Sequence, residues 1–236
     1  MPSPDGMAQE LPLTAGAPSQ LRASPPSRTT VLVIAKEPVP GRVKTRLTPP
    51  YSPTEAARLA EAALHDTLCT VARTPAGRRV LVLEGRPGPW LPAGFEVVPQ
   101  GRGGLDERIA SAFEQCDGPA LLIGMDTPQV TPGLLAQSTG PHAWDECDAC
   151  FGPAADGGFW ALGFRRPRPD LVRGVPMSTS RTGEMQRHRL AEAGLTVREL
   201  PVLRDVDTAA DAEQIAAHCD GSFAAVHAGL SRAVAP

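Results

Sequence analysis

Residues 31–47 have the sequence VLVIAKEPVPGRVKTRL, an apolar run followed at once by a basic loop. The run VLVIA is dominated by β-branched residues, a composition typical of a strand that is covered on both faces of a parallel sheet. In the loop, Lys44 directly follows Val43, whereas the phosphate-binding loop of nucleoside triphosphatases needs a glycine before its lysine. We therefore expect a central first strand and a basic loop that differs from a P-loop.

The segment after this loop predicts a long amphipathic helix. Ser52 is a candidate N-cap, Pro53 suits the first helical position, and Glu55 stands where a capping box requires an acid. Further along the chain, strand-like apolar segments alternate with helical periodicity. The further predicted strands are 78–85, 95–100, 119–126, 147–153, 157–164 and 196–200, and the further predicted helices are 104–116, 181–194 and 208–219.

This alternation predicts an α/β fold, in which right-handed crossovers place helices on both sides of a mainly parallel central sheet. The chain has 236 residues, 42% of them hydrophobic, which suits a single domain. We place that domain at residues 29–220. Residues 1–28, rich in Pro, Ser, Ala and Gly, are expected to form a disordered leader, and residues 221–236 a C-terminal tail.

Overall charge and apolar patterning exclude several classes of protein. A net charge of −3 argues against nucleic acid or an anionic membrane as a partner. Neither a membrane-spanning apolar run nor a signal-peptide pattern occurs, so we expect a cytoplasmic protein. The motifs H-E-x-x-H and G-x-S-x-G, typical of metalloproteases and serine hydrolases, are absent. Any anionic ligand must therefore be bound by a local cluster of cations.

Five cysteines are spread along the chain, an odd number that does not suggest a disulfide framework. Cys147 and Cys150 form a lone C-x-x-C pair, whereas a structural zinc site requires two such pairs. We predict that these two residues lie on one strand, where residues three apart face opposite sides. The thiols are expected to be reduced core and surface groups.

Four cations follow the first strand, where a parallel sheet places its ligands. Lys36, Arg42, Lys44 and Arg46 fall within eleven residues, in a loop shaped by prolines and by Gly41. A stiff loop loses less entropy when its cations gather around one anion, so we predict that this loop binds phosphate. A solvated basic loop is the alternative interpretation.

Acids follow other predicted strands. Asp126 ends the fourth strand, where a carboxylate could hold Mg²⁺ together with phosphate oxygens, although such an acid can equally cap a helix. Asp156 precedes two glycines, which predict either a hairpin turn or a close approach of a ligand to the backbone. Asp205 and Asp207 flank Val206 and would face the same way in an extended segment, as a paired carboxylate surface for a metal.

Together these motifs resemble a bacterial family of proteins with the glycosyltransferase-A (GT-A) fold, some of which are called arsenosugar-biosynthesis glycosyltransferases. The basic loop is also similar to that of 2-phospholactate guanylyltransferases, and the D-x-P and D-x-D-T motifs are similar to those of molybdenum-cofactor guanylyltransferases. The resemblance implies a nucleotide-diphospho-sugar transferase fold, Rossmann-like, over residues 30–218. It rests on AKEPVPGRVKTRL (35–47), SPTEAARLAEAALHDTL (52–68), GMDTP (124–128), GPAADGGFWALG (152–163) and DVDTAAD (205–211).

The resemblance also implies roles for individual residues. Asp126 would hold a divalent metal, Mg²⁺ or Mn²⁺, with a second contact from Asp205 or Asp207. The chain has Met177 at a position where the family often has tryptophan. The residues implied in nucleotide binding are Lys36, Gly41, Lys44, Arg46, Gln100 and Arg108, the last two at the ends of QGRGGLDER (100–108).

These inferences predict a transferase that takes a nucleotide-activated donor and a small-molecule acceptor. Lys36, Lys44 and Arg46 would stabilise charge on the leaving group, which makes Lys44 a candidate catalytic residue. Asp156 is the candidate general base. Glycosyl transfer from a nucleotide-diphospho-sugar is the first hypothesis. The alternatives are nucleotidyl transfer, which releases pyrophosphate, and a non-catalytic nucleotide-binding protein.

Overall fold

The computed structural model describes residues 28–234, with side chains as far as Ser231. The predicted leader, residues 1–28, lies outside the described residues except for Arg28. No helix within the described range is both long and apolar enough to cross a bilayer. The strands are β1 (Thr30–Lys36), β2 (Arg78–Glu84), β3 (Glu96–Pro99), β4 (Ala120–Ile123), β5 (Ala149–Pro153), β6 (Phe159–Phe164) and β7 (Val197–Glu199). The helices are α1 (Pro53–Arg73), α2 (Leu105–Glu114), α3 (Pro132–Thr139), α4 (Thr182–Glu192), α5 (Ala209–Ala216) and α6 (Ser222–Val234).

The seven strands of the described chain form one sheet in the order β3-β2-β1-β4-β6-β5-β7. β1 pairs in parallel with both β2 and β4, and β3 and β7 are also parallel to their neighbours. β6 runs antiparallel to β4 and to β5. The predicted α/β fold with a mainly parallel sheet is therefore confirmed, and the carboxyl ends of β1, β2 and β4 meet at one edge.

The apolar run in β1 is continuous because helices cover both faces of the sheet. Val31 and Val33 are fully buried on one face, in a cluster with Leu64 of α1. Leu32 is buried on the other face, in a cluster with Phe113 of α2. Both cores therefore hold β1 in place, and the loop that follows it starts from a rigid element.

The start of α1 follows the predicted capping box. Ser52 Oγ accepts a hydrogen bond from the Glu55 backbone N–H at 3.3 Å, and the Glu55 carboxylate accepts one from the Ser52 N–H at 2.8 Å. Pro53 occupies the first turn, where its missing N–H costs nothing. Leu47, in a 3-10 turn between the basic loop and this cap, is fully buried. The basic loop is thus anchored at both ends.

Residues 221–236, which the sequence set apart as a tail, include the helix α6. Asp66 of α1 binds its first turn: one carboxylate oxygen accepts from the Ser222 N–H at 2.9 Å and the other from the Phe223 N–H at 2.8 Å. Phe223 is fully buried against α1 and α5. The helix was not predicted because its cap lies 156 residues away in sequence. The division of the chain at residues 28 and 220 stays a prediction.

The predicted placement of Cys147 and Cys150 on opposite faces of one strand is wrong. β5 begins only at Ala149, so Cys147 precedes the strand, and both thiols are buried in the same apolar cluster. All five cysteines are free thiols, as expected. Burial raises the pKa of Cys150 to about 12, which disfavours the thiolate that a metal would need. These residues are core thiols.

Candidate functional site

A cavity of about 310 Å³ opens at the carboxyl ends of β1 and β4. Asp126, Asp156, Asp205 and Asp207 all line it, although they come from three separate segments of the chain. Asp126 itself does not end β4, since the strand stops at Ile123 and two residues intervene. The cavity therefore collects the four acids that the sequence analysis proposed for metal binding or catalysis.

A second cavity of about 230 Å³ adjoins the first and is lined by Lys36, Arg42, Lys44 and Arg46. Asp126 and Asp207 line both cavities, so they stand at the boundary between an acidic space and a basic one. Such a division suits a ligand that carries both phosphates and a cation, because each would meet groups of opposite charge.

Backbone contacts fix the acids relative to one another. The Val206 N–H donates to the Asp126 carbonyl at 3.0 Å, which ties the segment between Asp205 and Asp207 to the segment that follows β4. The Val206 side chain is buried in the core with Leu47 and Tyr51. Because Val206 points into the core, the two acids beside it both reach the cavity.

Lys44 lies among these acids rather than in the open basic loop. Its Nζ is 2.9 Å from Asp126 Oδ2 and 3.3 Å from Asp207 Oδ1, and its side chain is only 8% exposed. Burial by itself would lower the pKa of Lys44, but the charges of Asp126 and Asp207 raise it above its ordinary value. Arg46, 3.5 Å from Asp207 Oδ2, is 73% exposed. Lys44 therefore meets carboxylates in this structure, where the sequence led us to expect phosphates.

The acid cluster carries more negative charge than Lys44 neutralises. Burial, and then the charges of Asp126 and Asp156, raise the pKa of Asp205 to about 7. Asp126 Oδ1 is buried and accepts no hydrogen bond from the described residues. A buried carboxylate oxygen without a partner is costly, so this oxygen marks a place where a cation or a donor would be favourable.

A divalent metal fits this donor set. Among the described residues, no three acidic, histidine or cysteine side chains stand ready to enclose a metal ion. Mg²⁺, however, commonly uses only one or two protein carboxylates and completes its shell with phosphate and water oxygens. Asp126, with its free oxygen, and Asp207, on the other side of Lys44, supply such a pair.

Three of the residues implied in nucleotide binding, Lys36, Gln100 and Arg108, form a second network near Glu84, at the end of β2. Glu84 Oε2 accepts from Arg108 Nη1 at 2.6 Å and is 3.6 Å from Lys36 Nζ. Gln100 donates its amide to the Ala35 carbonyl at 2.7 Å. Arg108 also donates to Gln100 Oε1 at 3.3 Å, so these side chains are held in place before any ligand binds. Lys36, Gln100 and Arg108 all line the larger cavity.

Gly41 serves the shape of the basic loop. Its φ of +75° lies in the left-handed region that glycine adopts without strain, and a Cβ there would meet no atom within 4 Å. Gly41 lines neither cavity. The resemblance implied a role for Gly41 in nucleotide binding. In this structure Gly41 contributes to the turn that precedes Lys44.

Asp156 stands in the turn between β5 and β6, which is a hairpin. One oxygen accepts from the Gly158 N–H at 2.8 Å, and Gly157 has a φ of +91°. The Gly157 carbonyl accepts from the Gly183 N–H at 2.8 Å, which joins the hairpin to the first turn of α4. The hairpin turn predicted from the D-G-G motif is therefore confirmed. The close approach of a ligand to its backbone stays a prediction, and the turn borders the cavity.

The family described as "uncharacterized protein conserved in bacteria" (DUF2064) matches residues 57–179. The chain belongs to this family. The matched range includes β4, the acid Asp126 and the hairpin with Asp156, and so it covers half of the acid cluster.

Solved structures place this DUF2064 chain in a known fold. A candidate nucleotide-diphospho-sugar transferase from Desulfovibrio desulfuricans G20 is 27% identical, with a TM-score of 0.75 over 86% of this chain and 94% of its own. CMP:2-keto-3-deoxy-manno-octonic acid synthetase complexed with CTP is 12% identical, with a TM-score of 0.50 over 80% and 97%. A 4-diphosphocytidyl-2C-methyl-D-erythritol synthase from Anaerococcus prevotii DSM 20548 is 11% identical, with a TM-score of 0.50 over 86% and 96%. The fold is that of nucleotide-diphospho-sugar transferases. A search of curated proteins found no match.

Sequence reasoning missed two parts of the site in this DUF2064 chain. Glu84 was taken only as the end of a strand, although an acid at the carboxyl end of a parallel strand could have signalled its role. The apolar wall formed by Phe159, Met177 and Leu105 was also missed. Met177, noted only as a departure from the family pattern, faces the cavity beside Ser178, whose φ of +58° is unusual for a residue other than glycine.

Proposed function

We propose that this chain is a metal-dependent transferase that uses a nucleotide-activated donor, with glycosyl transfer from a nucleotide-diphospho-sugar to a small acceptor as its reaction. The observation that carries the proposal is the meeting of Asp126, Asp207 and Lys44 at the edge of the sheet, between an acidic and a basic cavity. The similarity at 27% identity to a candidate nucleotide-diphospho-sugar transferase supports the donor class.

In this proposal the acidic residues bind the metal and the basic residues bind the phosphates. Asp126, with Asp205 or Asp207 as the second carboxylate, would hold Mg²⁺ or Mn²⁺, which when bound supplies positive charge to a diphosphate leaving group. Lys36 and Arg46, in the basic cavity, would bind the phosphates and stabilise the charge that develops on them. Arg108, held by Glu84, would add a fixed donor in the larger cavity. This is positioning and electrostatic stabilisation, and it requires no covalent nucleophile.

Asp156 is the proposed general base toward the acceptor. Only one of its oxygens has a hydrogen bond to a described residue, from the Gly158 N–H, so the other is available to an acceptor hydroxyl. The fixed turn would hold this oxygen at the wall of the larger cavity. Asp205 is less suited to this role because it is one of the carboxylates proposed to hold the metal.

Nucleotidyl transfer with release of pyrophosphate is the second candidate. It is favoured by the fold similarity to two synthetases whose names imply nucleotidyl products, one of them complexed with CTP. The same cations could stabilise either leaving group, a nucleoside diphosphate or pyrophosphate. The choice between the two therefore depends on which bond of the donor is broken.

The test is to incubate the protein and Mg²⁺ or Mn²⁺ with labelled nucleotide sugars and, separately, with nucleoside triphosphates. Release of a nucleoside diphosphate from a nucleotide sugar supports glycosyl transfer, and release of pyrophosphate from a triphosphate supports the second candidate. Asp126→Asn should lower the rate at least about 100-fold. Asp170→Asn, at an exposed ion pair with Arg168, is the matched control and should leave the rate unchanged. Metal-dependent turnover that survives in Asp126→Asn would overturn the metal assignment, and metal-independent binding without turnover would indicate a non-catalytic protein.

A further inference from the structure

The chain has two lysines and 21 arginines, and both lysines lie at the candidate site. They differ sharply in exposure: the Lys36 side chain is 54% exposed, whereas the Lys44 side chain is 8% exposed. Lys36 Nζ lies 3.6 Å from Glu84 Oε2. A lysine this buried must be paired, because the ammonium group otherwise loses its hydration without compensation. Its partners, Asp126 and Asp207, are two of the carboxylates proposed to hold a metal.

The backbone directs Lys44 inward. Val43 before it is 8% exposed and Leu47 after it is fully buried, so the loop is anchored by apolar side chains on both sides. Lys44 itself has φ of 49° and ψ of 39°, a left-handed conformation that is unfavourable for residues other than glycine. The two ion pairs offset that strain, and the ammonium group lies between the two acids.

An ammonium group and a divalent metal compete for the same two carboxylates. Lys44 Nζ lies 2.9 Å from one Asp126 oxygen and leaves the other, Oδ1, buried and without a partner. A divalent ion held by these carboxylates would lie close to the ammonium group, and like charges at short distance repel strongly. Binding of a divalent ion therefore favours movement of Lys44 away from the acids.

We propose that Lys44 is a resident cation of the acid cluster, which holds Asp126 and Asp207 in the metal-free protein and leaves them when a divalent cation binds. This inference rests on the proposed function and adds a role for Lys44 to it. The adjoining basic cavity gives the displaced side chain a place to go, because Lys44 already lines it together with Lys36, Arg42 and Arg46. There the ammonium group would meet the phosphates of the donor. Lys44 would thus be a positioning residue before the donor binds and a phosphate ligand afterwards.

The small number of lysines makes the movement measurable in the unmodified protein. Limited acetylation with an amine-reactive ester, followed by mass spectrometry, reports on Lys36 and Lys44 separately. Without metal, Lys36 should react and Lys44 should be protected. With saturating Mn²⁺, whose binding is counted independently by electron paramagnetic resonance, acetylation of Lys44 should accelerate at least about fivefold, while Lys36 serves as the internal control. Continued protection of Lys44 when Mn²⁺ is bound would overturn the inference.

A variant pair tests the competition directly. Lys44→Met should bind Mn²⁺ at least about fivefold more tightly than the unmodified chain, whereas a purely structural lysine would give weaker binding when removed. Arg46→Met is the matched control, because it removes the same charge near Asp207 from an exposed side chain and should change the Mn²⁺ affinity by less than twofold. Equal affinities of Lys44→Met and the unmodified chain would overturn the inference.

Failure of this inference and failure of the proposed function are distinguishable. If Mn²⁺ binds and supports turnover but Lys44 stays protected, the function stands and the displacement is wrong. If Mn²⁺ binds neither the unmodified chain nor Lys44→Met, the metal assignment and the displacement are both wrong. Neither the acetylation rate of Lys44 nor the Mn²⁺ affinity of Lys44→Met depends on turnover.

Discussion

Lys44 Nζ and Asp126 Oδ2 lie 2.9 Å apart, although 82 residues separate them in sequence. One comes from the loop after β1 and the other from the segment after β4, and these two strands are parallel neighbours. Their contact shows that the loops at the carboxyl ends of adjacent strands converge, as the fold requires. The same contact gives the metal-free site a definite charge pattern, from which predictions can be made.

Replacing Arg108 should weaken nucleotide binding. Arg108 is 28% exposed, lines the larger cavity and is held by Glu84, whereas Arg78 forms a similar ion pair with Glu96 at the edge of the sheet. Arg108→Met removes a charge-assisted donor, a loss of about 1.5–3 kcal/mol that corresponds to roughly 10- to 100-fold in affinity. Calorimetric titration with a nucleoside diphosphate and Mg²⁺ measures it. Arg78→Met should bind like the unmodified chain, and equal losses in the two variants would refute a specific role for Arg108.

Asp205 should make the metal-free protein less stable as the pH rises. Its pKa of about 7 in the folded protein lies above the ordinary value of about 3.9, so the folded state holds a proton that the unfolded state releases. The cost of ionising Asp205 is absent below about pH 4, grows as the pH rises to about 7, and reaches at most about 4 kcal/mol above that. In EDTA, Asp205→Asn should therefore unfold at a higher temperature than the unmodified chain at pH 8, with the difference shrinking toward pH 5. A difference independent of pH would contradict the assignment.

Local sequence signals predicted most of the fold. The β-branched run in β1, the Ser52 and Glu55 capping box and the turn at Asp156 each depend on residues within a few positions of one another. The α3 helix was not predicted because its buried residues include Ser138 and Thr139, so its eight residues show no clear apolar stripe. The antiparallel direction of β6 follows from the short hairpin turn that joins it to β5.

The partners in the candidate site could not be predicted in the same way. The basic loop indicated cations but not their contacts, because Lys44 pairs with acids 82 and 163 residues further along the chain. Which cation is buried among the acids depends on the αL turn at Lys44 and on the burial of Leu47 beside it. Arg46, two residues further on, remains exposed. Lys44 and Arg46 are therefore only two positions apart in one loop, yet Lys44 forms buried ion pairs and Arg46 forms an exposed one.

Removing Asp66 should loosen α6. The carboxylate accepts two backbone N–H groups from the first turn of this helix, and replacing such a capping group with alanine costs about 1–2 kcal/mol. Asp66→Ala should lower the urea midpoint and increase amide hydrogen exchange in α6 more than in α1. Glu61→Ala, at an exposed position of the same helix, is the control and should change neither. Uniform exchange across both helices would contradict the cap.

Gly157 should be far less replaceable than Gly94, although both have a φ of +91°. Alanine costs about 1–2 kcal/mol at such a φ, and this is the whole expected cost at Gly94, where a Cβ meets nothing within 4 Å. At Gly157 a Cβ would lie 2.1 Å from the Ser180 carbonyl oxygen, so the segment before α4 must move away from the hairpin. That segment carries Met177 and Ser178 at the cavity wall. Gly157→Ala should therefore lose about 1–3 kcal/mol more than Gly94→Ala in urea unfolding, and it alone should also lose nucleotide affinity. Equal stability losses in the two variants, with binding unchanged in both, would show that the hairpin does not support the cavity.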